Sequence, residues 1–189
     1  YRSSRGLGDV YKRQDKSTPP AHFCESDWLV AEVDESDGTI DQFAPEVTLV
    51  LNVDWDHADH YGDATKLDAA FSSLLKRTKQ KLLLLDSLHL KPTGAATIQT
   101  FDGIAKRLGL DTAPSGRLNQ VNGDAAAAVL SFFDQPLKSD TLATFPGMAR
   151  RQSILYQDAQ LTVIEDYAHH PTEIDALIEC LRTNEPDKQ

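Results

Sequence analysis

The sequence is poor in cysteine, methionine and basic charge, and it has no long apolar run. Cys24 and Cys180 are the only cysteines among 189 residues. They show neither CxxC spacing nor the density of a disulfide scaffold, which fits a reducing, cytoplasmic compartment. No apolar stretch approaches the roughly 20 residues that span a bilayer, and no basic head with an apolar h-region marks a secretory signal. A soluble chain with no membrane partner is the expectation. Lys and Arg number 19 against 29 Asp and Glu, a formal net charge of −10. That balance disfavours nucleic acid as a partner, because non-specific binding depends on neutralising phosphates with basic groups. A phosphate ligand would need local basic residues or a divalent cation. The single methionine is Met148 and the chain starts at Tyr1, so a fragment of a longer reading frame is expected. Residues 1–14, YRSSRGLGDVYKRQ, are basic and low in apolar residues. They look like translated adaptor sequence and are not expected to contribute to the fold.

What is present reads as alternating strands and helices. At 40% hydrophobic residues the chain can bury the core of one good-sized domain, or of one domain plus a piece of another. DWLVAEV (27–33), VTLVLNV (47–53) and KLLLLD (81–86) are short Val- and Leu-rich runs suited to strands buried on both faces. Between the last two, Leu67, Ala70, Phe71, Leu74 and Leu75 fall at helical spacing, with Asp63 as N-cap and Lys/Arg closing the final turn. This is the grammar of an α/β fold with a mostly parallel open sheet, whose ligands sit outside the carboxyl ends of the strands. From Lys91 to Arg117 only turn clusters and a short helix in FDGIAKRLGL are legible. NQVNGDAAAAVLSFF (119–133) is a better helix, rich in alanine. QSILYQ and LTVIED flank an Asp-Ala turn as in a β-hairpin, and HHPTEIDALIECLR opens a helix with Pro171 in its first turn and Thr172 or His170 near the cap. The turn-rich stretch at Pro146 and Gly147 is the candidate domain boundary.

Chemistry concentrates at two strand ends. Glu32, Asp34, Glu35 and Asp37 follow the first run, and Asp54, Asp56, His57, Asp59 and His60 follow the second. Carboxylates with imidazole suit divalent cations, hard ones where oxygen dominates and zinc where nitrogen does. Solvated acidic loops are the bland alternative. His57, flanked by acids at the carboxyl edge of a sheet, is the residue that favours a site.

AEVDESDG, LVLNVDWDHADHYGD, GRLNQVNGDAA, FPGMARR and EDYAHHPTEI occur in the order used by the Mur ligases, the ATP-dependent enzymes of peptidoglycan precursor synthesis. The chain resembles that family over roughly residues 27–183, most of all its UDP-N-acetylmuramate–L-alanine branch. The resemblance implies that residues 15–146 are a partial central ATP-binding domain and 147–189 the first hairpin and helix of a Rossmann-like C-terminal domain. It implies ATP and Mg²⁺ as cofactors, and UDP-N-acetylmuramate and L-alanine as substrates. Glu32 and His57 match the family's metal-holding acid and histidine. Asn52 matches an asparagine lining the site, and Asn119 and Asn122 match asparagines near the adenine. Arg151 matches an arginine reaching the γ-phosphate. Asp166, Tyr167, His169 and His170 match the segment that closes over the substrates. Catalytic roles are thus expected of His57, Arg151, Asp166 and His169.

Departures accompany the matches. The G-x-x-G-K-[ST] loop that cradles ATP phosphates is not in the sequence, so this chain by itself is not expected to turn over ATP. The family's histidine before Asn119 is Leu118 here, the stretch after KLLLLD is short, and the lysine some branches carbamylate has no counterpart, since Ser72 and Ser73 fall near its place and Lys66 is too early. Three other readings remain open: the tripeptide-recycling ligase of the same family, a non-catalytic module built on a degenerate ligase, and a zinc hydrolase with HADH as half of HxHxDH. In the last, Trp55 occupies the position of the required first histidine.

Overall fold

The computed structural model describes residues 25–107, 117–135, 145 and 148–184. The 1–14 segment, Cys24 and the Pro146–Gly147 boundary expected from the sequence lie outside the described residues. The elements in order are a 3-10 turn (Thr39–Gln42), β1 (Val47–Val50), α1 (Ala58–Tyr61), α2 (Ala64–Arg77), β2 (Lys81–Leu84), β3 (Thr97–Thr100), α3 (Ile104–Arg107), α4 (Arg117–Phe132), β4 (Ser153–Gln157), β5 (Thr162–Glu165) and α5 (Pro171–Asn184).

β1, β2 and β3 form a parallel sheet in that order, with Val47 opposite Lys81 and Lys81 opposite Thr97. The leucines of β2 explain its central position. Leu82 and Leu84 enter the cluster built with Leu67, Phe71, Leu74 and Leu75 of α2, while Leu83 enters the cluster with Phe101, Ala125 and Ala128 on the α4 side. Alternate side chains of a strand point to opposite faces, so an unbroken leucine run requires a helix on each side. α2 supplies one, and the five residues predicted for its apolar face are all buried. Its ends also follow the sequence: the Asp63 carboxylate accepts from the Lys66 amide at 3.1 Å, and Lys76 and Arg77 occupy the last turn. Arg77 then reaches across to donate to the Phe43 carbonyl at 2.8 Å and the Ile40 carbonyl at 2.9 Å. That ties the 3-10 turn, and the acidic loop before it, to the end of α2.

β4 and β5 form the expected antiparallel hairpin, with an irregularity between Ile154 and Tyr156. Asp158 closes its turn by accepting from the Gln160 and Leu161 amides, each at 2.7 Å. α5 begins at Pro171, and the Glu173 carboxylate folds back to accept from the amides of His169 (3.0 Å) and His170 (3.3 Å). Burial by itself would raise the Glu173 pKa, but these two amides, together with the nearby His169 and Arg151 side chains, outweigh it and hold the carboxyl below its usual value.

The strand expected over 27–33 does not form. Leu29 and Val30 are 87% and 82% exposed, and no ladder includes the segment. A Val/Leu run becomes a strand only where a neighbouring edge takes up its backbone groups. Here Trp28 packs edge-on against Phe133 at 4.8 Å and Phe132 at 6.0 Å, at the end of α4. β3, by contrast, lies in the stretch that shows only turn signals. Its residues are mostly exposed, and its register with β2 is reinforced by Lys81 Nζ donating to Gln99 Oε1 at 2.9 Å.

These placements separate two leucines by burial. Leu75→Ala, at a fully buried position, is expected to lower stability by about 2–5 kcal/mol in denaturant unfolding, and Leu29→Ala by less than about 0.5 kcal/mol. Comparable losses from both would restore 27–33 to the core.

Candidate functional site

The sheet positions the site through the loop that leaves β1 at its carboxyl end. That loop ends at His57, which caps α1 in the left-handed region, φ 55° and ψ 46°. A non-glycine residue there is uncommon and carries a backbone cost. The His57 amide donates to Asp56 Oδ1 at 2.7 Å, and its carbonyl accepts from the amides of His60 (2.9 Å) and Tyr61 (3.1 Å). The side chain thereby faces the acidic loop, with Nε2 at 3.8 Å from Glu35 Oε1 and 3.8 Å from Asp56 Oδ2.

Asp34, Glu35 and His57 each offer one ligand atom, and the three atoms lie within 4.8 Å of one another. Two carboxylates and one imidazole make an oxygen-rich donor set that fits Mg²⁺ or Mn²⁺. Zinc sites typically recruit more nitrogen or sulfur. Glu32, the acid matched to the family's metal ligand, is exposed and lies outside this group. The backbone turns between them: Asp34 Oδ1 accepts from the Ser36 amide at 2.8 Å, and the Gly38 amide donates to the Glu35 carbonyl at 3.0 Å, with Gly38 at φ 73°. This turn presents Asp34 and Glu35, rather than Glu32, to His57. The same acids act on Tyr61: burial first, and then the nearby carboxylates of Glu35, Asp41, Asp34 and Asp37, push its phenol above its ordinary value.

A second contact joins the β1 loop to the start of α5. Thr172 Oγ1 donates to Asp54 Oδ2 at 2.6 Å, and His170 Nε2 lies 3.2 Å from the Trp55 carbonyl. A carbonyl can only accept, so Nε2 carries the proton. Nδ1 then accepts from the Thr172 amide at 3.3 Å. Asp54 Oδ1 also accepts from the Trp55 amide at 2.8 Å. The Thr172 bond, followed by the Trp55 amide, holds the Asp54 carboxyl below its ordinary pKa.

The remaining expected residues fall in two other places. Arg151 lies over the Tyr167 ring, 5.5 Å from its centroid, with Nη1 3.9 Å from Asp166 Oδ1. Asp166 is held by backbone amides, Gln152 to Oδ2 at 2.9 Å and Ala168 to Oδ1 at 2.7 Å, so it fixes the segment leaving β5. His169 Nδ1 sits 3.0 Å from the Tyr167 carbonyl, its ring edge-on to Tyr167 at 5.1 Å. Of the two histidines it is His170 that meets the β1 loop. Asn52 is exposed just beyond β1, and Asn119 and Asn122 lie one turn apart on α4. Sequence reasoning missed the Asp54–Thr172 bond and Tyr61. Thr172 carried only a capping signal, and no local spacing links residues 118 positions apart.

Over 82% of this chain the sequence is 34% identical to the UDP-N-acetylmuramate–L-alanine ligase of Kineococcus radiotolerans, and over 86% it is 32% identical to that of Solibacter usitatus. The corresponding ligase of Desulfotalea psychrophila is 30% identical over 89% of the chain. The chain belongs to the Mur ligase family. It spans 40%, 41% and 44% of the length of these three relatives. No family model matches the chain. The crystal structure of the UDP-N-acetylmuramate–alanine ligase of Thermotoga maritima shares the fold, with a TM-score of 0.60 at 23% identity over 79% of this chain and 41% of that one. The α/β architecture with its parallel sheet is therefore that of a Mur ligase. No helix among the described residues is long and apolar enough to cross a membrane.

Thr172→Val is expected to return the Asp54 pKa toward 3.8, read by NMR titration of its carboxyl carbon. A depressed carboxylate contributes stability that is present above the unfolded-state pKa and lost as pH falls through the folded-state value. The wild type should therefore lose stability more steeply than the variant below about pH 4. Identical acid limbs would remove Thr172 as the cause.

Proposed function

We propose that this chain is the metal- and phosphate-handling segment of an ATP-dependent ligase that joins UDP-N-acetylmuramate to L-alanine through an acyl phosphate. The observation that carries the reading is the Asp34–Glu35–His57 cluster at the carboxyl end of a parallel strand, in a member of the Mur ligase family. Residues 15–146 belong to the central ATP-binding domain and 147–189 open the C-terminal domain. Cytoplasmic UDP-linked sugar and amino acid are the substrates, and neither nucleic acid nor membrane is a partner.

The chemistry follows from charge. A sugar-linked carboxylate attacks the γ-phosphate of ATP, expelling ADP and forming an acyl phosphate, and the alanine amine then attacks the acyl carbon, losing a proton and displacing inorganic phosphate to form the amide. Two anions must approach in the first step, and that approach needs positive charge where negative charge develops. Asp34, Glu35 and His57 would hold Mg²⁺, which when bound supplies that charge as a Lewis acid. Arg151 lies between the Tyr167 ring and Asp166 Oδ1, and its planar guanidinium is the group suited to pair with phosphate oxygens. Asn119 and Asn122 present amides from a single face of α4 toward an adenine, and Asn52 lines the strand end. Asp166 orders the segment that carries His169 and His170. Glu32, as an exposed acid upstream of the turn, stands as a ligand only if nucleotide draws the loop inward, and Glu35 is the better metal ligand in this arrangement.

The test grafts residues 25–184 into the matching stretch of the Kineococcus radiotolerans ligase and measures phosphate release. Release that requires ATP, UDP-N-acetylmuramate and L-alanine together supports the reading. In that chimera His57→Ala is expected to lower kcat by about 10²–10³-fold, the usual cost of removing one electrostatic stabiliser of the transition state. A folded chimera that binds ATP but shows no alanine-dependent release would overturn the proposal.

A further inference from the structure

Tyr61 closes α1, and it is buried, with its ring in the cluster that contains Ile40, Val50 and Leu67. Two of its polar groups reach the two halves of the carboxylate–imidazole cluster. The Tyr61 amide donates to the His57 carbonyl at 3.1 Å, and its hydroxyl donates to the Glu35 carbonyl at 2.6 Å, 26 residues earlier in the chain. The Glu35 carbonyl also accepts from the Gly38 amide at 3.0 Å. A carbonyl oxygen has two lone pairs, so one bond closes the 35–38 turn and the other fastens that turn to α1. Contact between the two pieces is close: a Cβ at Gly38 would lie 2.7 Å from His60 Nε2.

We propose that Tyr61 is a positioning residue for the cation site, holding Glu35 and His57 at ligand spacing from a ring anchored in the core. This rests on the cation reading of Asp34, Glu35 and His57 given above. The hydroxyl bonds to backbone, so its removal frees the turn without altering any ligand's charge. Partners that orient ligands without touching the metal govern affinity strongly. The turn bears an acid on each side of Glu35 (Asp34 and Asp37), and like charges push such a loop open unless it is tied or neutralised.

The experiment titrates the full 189-residue chain with Mn²⁺ alone and follows the paramagnetic broadening of the His57 ring protons. Tyr61→Phe is expected to weaken Mn²⁺ about tenfold while circular dichroism and the thermal midpoint stay close to wild type. Tyr156→Phe removes a comparable bond, from an exposed hydroxyl to Asp158 at 2.7 Å on the β4–β5 hairpin, and is expected to bind Mn²⁺ as the wild type does. Equal affinity in Tyr61→Phe and wild type would overturn the Tyr61 role and leave the cation site standing. Sharp His57 signals in the wild type at saturating Mn²⁺ would overturn the cation reading itself, and the Tyr61 role with it. Should Tyr61→Phe fail to fold, amide exchange in the wild type decides. Mn²⁺ is expected to slow exchange at Gly38 and Tyr61 together, and protection confined to one of the two would overturn the coupling.

Discussion

Everything in the site depends on β2 being buried on both faces. Leu82 and Leu84 must meet α2 while Leu83 meets the α4 layer, and the parallel register of β1 with β2 follows. Once β1 is fixed, its carboxyl end delivers the 51–57 loop to one edge of the sheet. α2 returns the chain to β2 from a start at Asp63, only six residues beyond His57. The intervening turn, α1, has no room to wander. His57 accepts a left-handed backbone in that confined space, and the apolar packing beneath Tyr61 and Leu67 supports the cost.

A second consequence concerns charge. Acids crowd the loops around His57, and a free loop of that composition would splay. Three tethers hold this one. Arg77 donates to the Ile40 and Phe43 carbonyls, Tyr61 to the Glu35 carbonyl, and the Gly38 amide to the same oxygen. All three act on backbone, and none of them uses a carboxylate oxygen of Asp34 or Glu35. The Asp54–Thr172 and His170–Trp55 contacts add a link from the start of α5 to the loop bearing His57.

Much of this was legible in the residues, for reasons that differ by element. α2 was readable to its caps because its apolar period, its Asp63 and its terminal basic residues all point the same way. β1, β2, the hairpin and α5 were readable from short β-rich runs and turn residues. The 27–33 segment was misread because its composition suits a strand whether or not an edge is there to pair with it, and Trp28 binds α4 instead. β3 escaped notice because an edge strand of Thr, Ile and Gln lacks a buried face to give it a period. At the site, His57 stood out by its acidic surroundings. That Glu35 rather than Glu32 lies beside His57 depends on a turn that three acids within four residues do not reveal. Tyr61 and Thr172 act across 26 and 118 residues, a distance at which only the fold brings partners together.

The central claim is that Asp34, Glu35 and His57 form one cation site, and anomalous scattering from Mn²⁺-soaked crystals of the chain tests it most directly. The account predicts a manganese peak coordinated by Glu35 and His57, with Asp34 bound directly or through water. A peak held by Glu32 with Glu35 turned away, or no peak near His57 at saturating Mn²⁺, would contradict it.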